Sequence, residues 1–206
     1  MANVTSVKSK FFGPVDVLDP NGLSTAATIS GAAALTLSGA LTSGGSYTAG
    51  DNIGQLVTIL SAGDDSGITF TVVGTNAVGD ALTEVVTGAD ASTATSSGYF
   101  NTVTSITTSA SSAGNVSAGV TATGTGTVFA GRTRIRVLQG LSGTSAGNLL
   151  FKNTSVTGTT LLTIPLTGGV SSIDPYIPDN GVLFNAGAYV NLTAADVTGV
   201  TVYYDG

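Results

Sequence analysis

The chain contains no cysteine, no histidine and no tryptophan, and only 9% of its 206 residues are charged, against roughly 25% in an ordinary globular domain. Without cysteine, the fold needs neither disulfides nor thiolate metal sites. Without histidine as well, the usual Ser–His and Cys–His nucleophiles cannot be assembled, and only carboxylates and lysine remain as bases. Positive charge is scarcest: six Lys and Arg stand against twelve Asp and Glu, a net charge of −6. Phosphates are bound by Lys and Arg, so nucleic acid is not expected as a partner. No run approaches the ~18 apolar residues of a membrane span, and the opening Met1–Lys10 lacks a basic-then-apolar secretory signal. The expectation is a chain assembled in a cell's cytoplasm, with no membrane partner and no cofactor.

What is abundant is 29 glycines, many Ser, Thr and Asn, and a hydrophobic share of 42%. A surface of neutral hydroxyls and amides stays wet and feels salt little, which suits a particle or an extracellular surface better than a cytosolic enzyme. Short β-branched runs separated by Gly, Asn, Asp and Ser recur about every ten residues, the pattern of a sandwich or barrel. The fold class expected is all-β: two antiparallel sandwich-like or barrel-like modules preceded by an extended N-terminal arm. The arm covers residues 1–30, a central β-domain 31–127 and a C-terminal β-domain 128–206.

In the arm, Phe11 and Phe12 follow Lys8 and Lys10 and precede Gly13-Pro14. Two adjacent phenylalanines in a polar context either meet a partner surface or tuck onto the chain's own domain; both readings stand. In the central domain, strands are expected at Leu56–Leu60, Ile68–Val73, Leu82–Val86, Tyr99–Thr104 and Asn115–Val120. The turns Gly63–Gly67 and Thr75–Asp80 are expected to join the first three as a hairpin meander. The Ala-rich stretch Ala32–Leu37 is the one helix candidate, and Thr121–Thr127, which offers nothing to fill a core, reads as the linker. In the C-terminal domain, strands are expected at Thr133–Leu138, Asn148–Asn153, Thr160–Ile164, Gly181–Phe184, Ala188–Leu192 and Val200–Tyr204. Pro165, Pro175 and Pro178 mark a long connection, since proline cannot donate to a ladder, and Asp179-Asn180-Gly181 turns the chain into the closing strands.

Few constellations carry chemistry. Asp64-Asp65 is the densest carboxylate pair, but adjacent residues in a tight turn point apart, whereas glycosidase carboxylates face each other across a cleft. The same turn lacks the spaced ligands of a calcium loop and reads as a plain turn. Glu84, the sole glutamate, shares a strand face with Leu82 and Val86 and is expected to be a partly buried, hydrogen-bonded or interface glutamate rather than a catalytic acid. Half of the positive charge lies in Gly131–Val137, where period two puts Arg132, Arg134 and Arg136 on one strand face. That row either clamps carboxylates of a neighbouring subunit or is a solvated face deterring edge pairing. Sequons at Asn3, Asn115, Asn153 and Asn191 are common by chance in such a composition. The expectation is that the chain is not an enzyme, with Lys8, Lys10, Phe11, Phe12, Arg132, Arg134 and Arg136 as partner-binding candidates.

The segment Gly63–Val86, followed by Ser97–Ile106, resembles a module common in virion proteins of tailed bacteriophages. The ending Gly181–Thr193 with Val200–Tyr204 is similar to the terminus of small virion proteins of marine phages. The resemblance implies a capsid decoration or cement protein on the virion surface, with the major capsid protein as partner and self-association as a homo-oligomer, a trimer suiting local symmetry points. Its alternatives are a head–tail junction or tail-fibre component with a receptor-binding or carbohydrate-binding β-module, for which Tyr176, Tyr189, Tyr203 and Tyr204 are available, although edge and core packing is the commoner use of such tyrosines. No catalytic residues belong to the pattern.

Overall fold

A computed structural model describes residues 6–178 and 180–206. The sequon at Asn3 and Asp179 of the expected closing turn lie outside the described residues. Among the described residues there is no helix, and seventeen strands follow one another: β1 (Lys8–Phe12), β2 (Asp19–Thr28), β3 (Thr42–Ser43), β4 (Ser46–Thr48), β5 (Gly54–Ser61), β6 (Thr69–Thr75), β7 (Ala81–Thr87), β8 (Thr93–Phe100), β9 (Thr102–Thr108), β10 (Asn115–Phe129), β11 (Thr133–Ser142), β12 (Gly147–Asn153), β13 (Thr160–Leu166), β14 (Ser172–Ile173), β15 (Val182–Phe184), β16 (Ala188–Thr193) and β17 (Val197–Asp205). The strand pairings are antiparallel, so the expected all-β, sandwich-like class is the class observed.

The chain divides into two compact units. A central unit comprises Asp16–Ala49 and Gly54–Ala122; a flanking unit comprises the chain up to Val15, Gly50–Ile53 and Thr123–Gly206. The arm expected at 1–30 is therefore not a separate element. Strand β1 pairs with β17, Lys8 opposite Tyr204 and Phe12 opposite Val200, and β2 pairs with the first half of β10. Terminal segments stay ordered when tied into a sheet, and here each is.

In the central unit one sheet runs β3-β4-β9-β6-β7, and in the other β2 and β5 flank β10 with β8 beyond β5. Alternation works as expected in β6, where Phe70 and Val72 are fully buried and Thr69 and Thr71 are not. The expected meander is half right. β6 and β7 form the hairpin, Val72 opposite Glu84, but β5 pairs with β8 and β10 instead of β6, so Gly63–Gly67 is a crossover between layers. The alternating apolar residues of both strands were legible, but the partner of each depends on which layer closes the core. Ala32–Leu37 is not helical: Ala34 bridges Thr107 and the Leu35 amide donates to the Ile106 carbonyl.

In the flanking unit one layer is β1-β17-β11 with β14 and β15 on β11, and the other is β13-β12-β16 with the second half of β10. Thr121–Thr127 is not a linker, since it lies inside β10. Its glycines work as a floor for large side chains from elsewhere. A Cβ at Gly126 would sit 2.7 Å from the Phe12 ring, and one at Gly124 2.9 Å from Val15. The core that the heptad cannot fill is filled by its neighbours. Pro165 lies inside β13, opposite Asn148; β13 is an edge strand, the place where a missing donor costs no ladder bond.

Candidate functional site

Strand β11 sets up the strongest charge constellation. Thr133 and Ile135 face inward and are buried, so Arg134 and Arg136 point to the outer face. Opposite β17, Ile135 pairs with Tyr204 but Val137 pairs with Tyr203, so one extra residue is accommodated at Arg136. Such a bulge re-aims a side chain and resets the alternation. Arg136 Nε thereby donates to Asp205 Oδ2 at 2.7 Å, and Leu138 becomes the next buried position. Arg134 Nη1 donates to the Asn180 carbonyl at 2.7 Å, and Thr133 Oγ1 to the Asp205 main-chain oxygen. Arg132 precedes the strand and is exposed. The expected single row is thus a cluster: Arg132, Arg134 and Arg136 line one cleft of about 400 Å³ with Leu183, Asp205 and Gly206. Asp205 Oδ1 is buried there with no hydrogen-bond partner among the described residues.

The four candidates on β1 separate by face. Phe12 is fully buried. Lys10 turns inward beside it, its Nζ donating to the Thr127 carbonyl at 2.8 Å and lying 5.6 Å from the centre of the Phe12 ring. Burial lowers the Lys10 pKa from its ordinary value, because desolvation disfavours the charged form. Lys8 Nζ stands 5.7 Å over the Phe129 ring, a cation–π distance. Lys8 is exposed, and Phe11, on the opposite face of the strand, is 41% exposed.

Phe11 belongs to an apolar outer face that the sequence pattern did not single out. Register places Phe11 opposite Thr201, Thr201 opposite Gln139, Gly199 opposite Leu141 and Tyr203 opposite Val137. The Phe11 ring lies over Gly199, where a Cβ would be 2.6 Å from Phe11 Cζ. Phe11, Val137 and Leu141 are 41%, 41% and 47% exposed, and Tyr203 Oη donates to Gln139 Oε1 between them. Exposed apolar groups gathered on one face mark an interaction surface more often than scattered ones do.

The carboxylates of the central unit are mostly occupied by their own backbone. Glu84, half-buried as expected, accepts from the amides of Ser97 (2.6 Å) and Gly98 (2.8 Å). Asp65 is buried and accepts from the Ala113 amide at 2.7 Å. Asp64 is exposed and accepts from the Ser66 hydroxyl and amide, which holds its pKa below the ordinary value. Asp16 accepts from Tyr47 Oη. Among the described residues no group of three or more Asp or Glu is placed to hold a metal ion.

Charge divides sharply between the units. The flanking unit holds all six cations (Lys8, Lys10, Arg132, Arg134, Arg136, Lys152) against five carboxylates (Asp51, Asp174, Asp179, Asp196, Asp205), a formal charge of +1. The central unit holds no cation and seven carboxylates (Asp16, Asp19, Asp64, Asp65, Asp80, Glu84, Asp90), a formal charge of −7. The signal was present in the sequence, which has no Lys or Arg between Lys10 and Arg132. It has structural meaning only once Lys8 and Lys10 are known to fold with the arginines.

Compared with protein-family models, with curated proteins and with solved structures, the chain matches none.

Proposed function

We propose that the protein is a structural adhesion module: a capsid decoration or cement protein of a tailed bacteriophage, seated on the major capsid protein at the virion surface. The observation that carries the reading is the outer face of β1, β17 and β11, where Phe11 and Leu141 stand exposed on either side of Gly199. A face of that kind gains free energy by being covered. A protein that covers itself against adjacent shell subunits stabilises the assembled lattice by mass action. The neutral Ser, Thr and Gly coat and the largely self-satisfied carboxylates fit bracing rather than turnover. The sequence resemblance to phage virion modules supplies the identity of the partner.

A second reading, a head–tail junction or tail-fibre component that binds a receptor glycan, is favoured by Tyr176 alone, which is 85% exposed. Removing residues 1–30 is not a clean test of attachment, because β1 and β2 are sheet strands. The test is the variant Phe11→Ser with Leu141→Ser, made on exposed positions. Its thermal transition should match wild type while its sedimentation with purified shells is lost. Undiminished shell binding by the folded double variant would sink the proposal, as would a particle copy number far below that of the shell subunit.

A further inference from the structure

We infer that the arginine cleft of one copy of this chain takes up the exposed carboxylates of the central unit of a second copy, so that the protein associates with itself through opposite charge. Among the described residues, the cleft gathers three guanidinium groups and one side-chain carboxylate, Asp205. Arg136 is engaged with Asp205 and Arg134 with the Asn180 carbonyl, which fixes the walls. Arg132 is exposed at the rim. A planar guanidinium recognises a carboxylate by two parallel N–H···O bonds, so the chemistry that fits the opening is a carboxylate side chain.

The occupant is argued from the division of charge. The central unit carries no cation of its own, so its exposed carboxylates have no internal counter-charge. Asp64 and Asp90 are exposed and are set side by side by an antiparallel bridge between their backbones. Asp64 lies in the Gly63–Gly67 crossover and Asp90 in the connection between β7 and β8, so the bridge brings two exposed carboxylate residues from separate loops together. Complementary potentials of this kind steer association and fix its register, and most soluble oligomers are built from copies of one chain. The surface used is the cleft at the Asp205 end of β17, whereas Phe11 and Leu141 lie toward its start; self-association and shell attachment are therefore separable.

The experiment is sedimentation velocity of the full chain at low and high salt, with Arg132→Glu and Asp90→Lys, two exposed positions outside the strands. Wild type should associate at low salt and dissociate at high salt, since surface charge is screened over about 10 Å at 0.1 M. Each variant should associate about tenfold more weakly or worse, and an equimolar mixture of the two should associate with each other. Melting curves matching wild type establish that both are folded, and the neutral variants Arg132→Gln and Asp90→Asn should weaken association by less. A wild-type chain that stays monomeric at low salt overturns the inference. So does association indifferent to both substitutions, which would assign it to the apolar face, and so does a mixture that fails to pair.

Discussion

Tyr47 Oη lies 2.8 Å from Asp16 Oδ2 and donates its one hydrogen between that carboxylate and Gln55 Oε1 at 3.0 Å. The arrangement is fully connected. Gln55 Oε1 also accepts from the Asp16 amide, and Gln55 Nε2 donates to the carbonyls of Asp16 and Thr121. Tyr47 and Gln55 are both completely buried, so this polar cluster fixes where the chain after Val15 enters the central unit.

Burial, the negative charge of Asp16 and the hydrogen bond to it, in that order, push the Tyr47 phenol far above its ordinary value of 10.0. In the unfolded chain the phenol ionises near its ordinary value, while in the folded chain it holds its proton. The stability it contributes is therefore fully present below about pH 10 and is lost as pH rises from there through the folded value. Urea unfolding from about pH 9 to 11 should show wild type losing stability with pH more steeply than Tyr47→Phe. At neutral pH that variant should be less stable by about 1–2 kcal/mol, the cost of a buried acceptor losing its donor. Parallel pH profiles for the two proteins would refute this account of Tyr47.

Glu84 holds a distortion in β8. Between Leu56 and Thr58 the β5–β8 register slips, and Ser96 Oγ replaces a ladder partner by accepting from the Val57 amide and donating to the Gly98 carbonyl. The amides of Ser97 and Gly98 go to the two oxygens of Glu84. Glu84→Ala should destabilise by about 1–3 kcal/mol, and Glu84→Gln by less, because one acceptor oxygen survives. Amide exchange at residues 97 and 98 should accelerate in both. Unchanged protection there would show that the carboxylate is incidental.

The two phenylalanines of β1 should part company. Phe12→Ala removes a fully buried ring and should cost about 3–5 kcal/mol of unfolding free energy. Phe11→Ala removes a ring that is 41% exposed and should cost below about 1 kcal/mol. Comparable losses in denaturant titrations would mean that the outer face is covered within the chain.

Gly74 and Gly119 tolerate no side chain. A Cβ at Gly74 would lie 1.8 Å from the Thr102 carbonyl oxygen, and one at Gly119 1.8 Å from that of Asp19. Neither oxygen can move without breaking its strand, so each Gly→Ala change should cost about 3 kcal/mol or more. Gly67→Ala, which meets nothing within 4 Å, is the control and should melt as wild type does.

Asp64 offers a check without a stability measurement. The Ser66 hydroxyl, and then the Ser66 amide, hold its carboxyl below the ordinary value of 3.8. An NMR titration should find it there, and Ser66→Ala should raise it, because hydrogen bonds to the charged form favour that form. An Asp64 value unmoved by Ser66→Ala would remove the hydroxyl from the explanation.

Much of the fold could be read without coordinates, and for one reason. The alternation of Ile68 to Val72, the β-branched runs and the Gly and Asn punctuation are local properties of the chain, and period two commits a segment to a pleated, half-buried surface whatever it packs against. That reading placed Arg134 and Arg136 on a strand, with Arg132 falling just ahead of it, and included a hydrogen-bonded Glu84 among its expectations. It failed where the outcome depends on distant partners. Thr121–Thr127 looked empty because its own side chains are small, yet the Phe12 ring and Val15 complete it. Phe11 and Phe12 were equivalent in the sequence until pairing with β17 sent one ring in and the other out.

The amino-acid sequence by itself determined that this is an all-β chain with a scarcity of positive charge, no histidine and no cysteine, because composition and short-range periodicity need no partner to act. Tertiary structure alone decided which strands share a sheet, that the first strand folds beside the last, and that a bulge at Arg136 turns a strand row into a cleft. Those outcomes rest on hydrogen bonds and contacts between residues far apart in the chain, and only closure of the two cores selects among them.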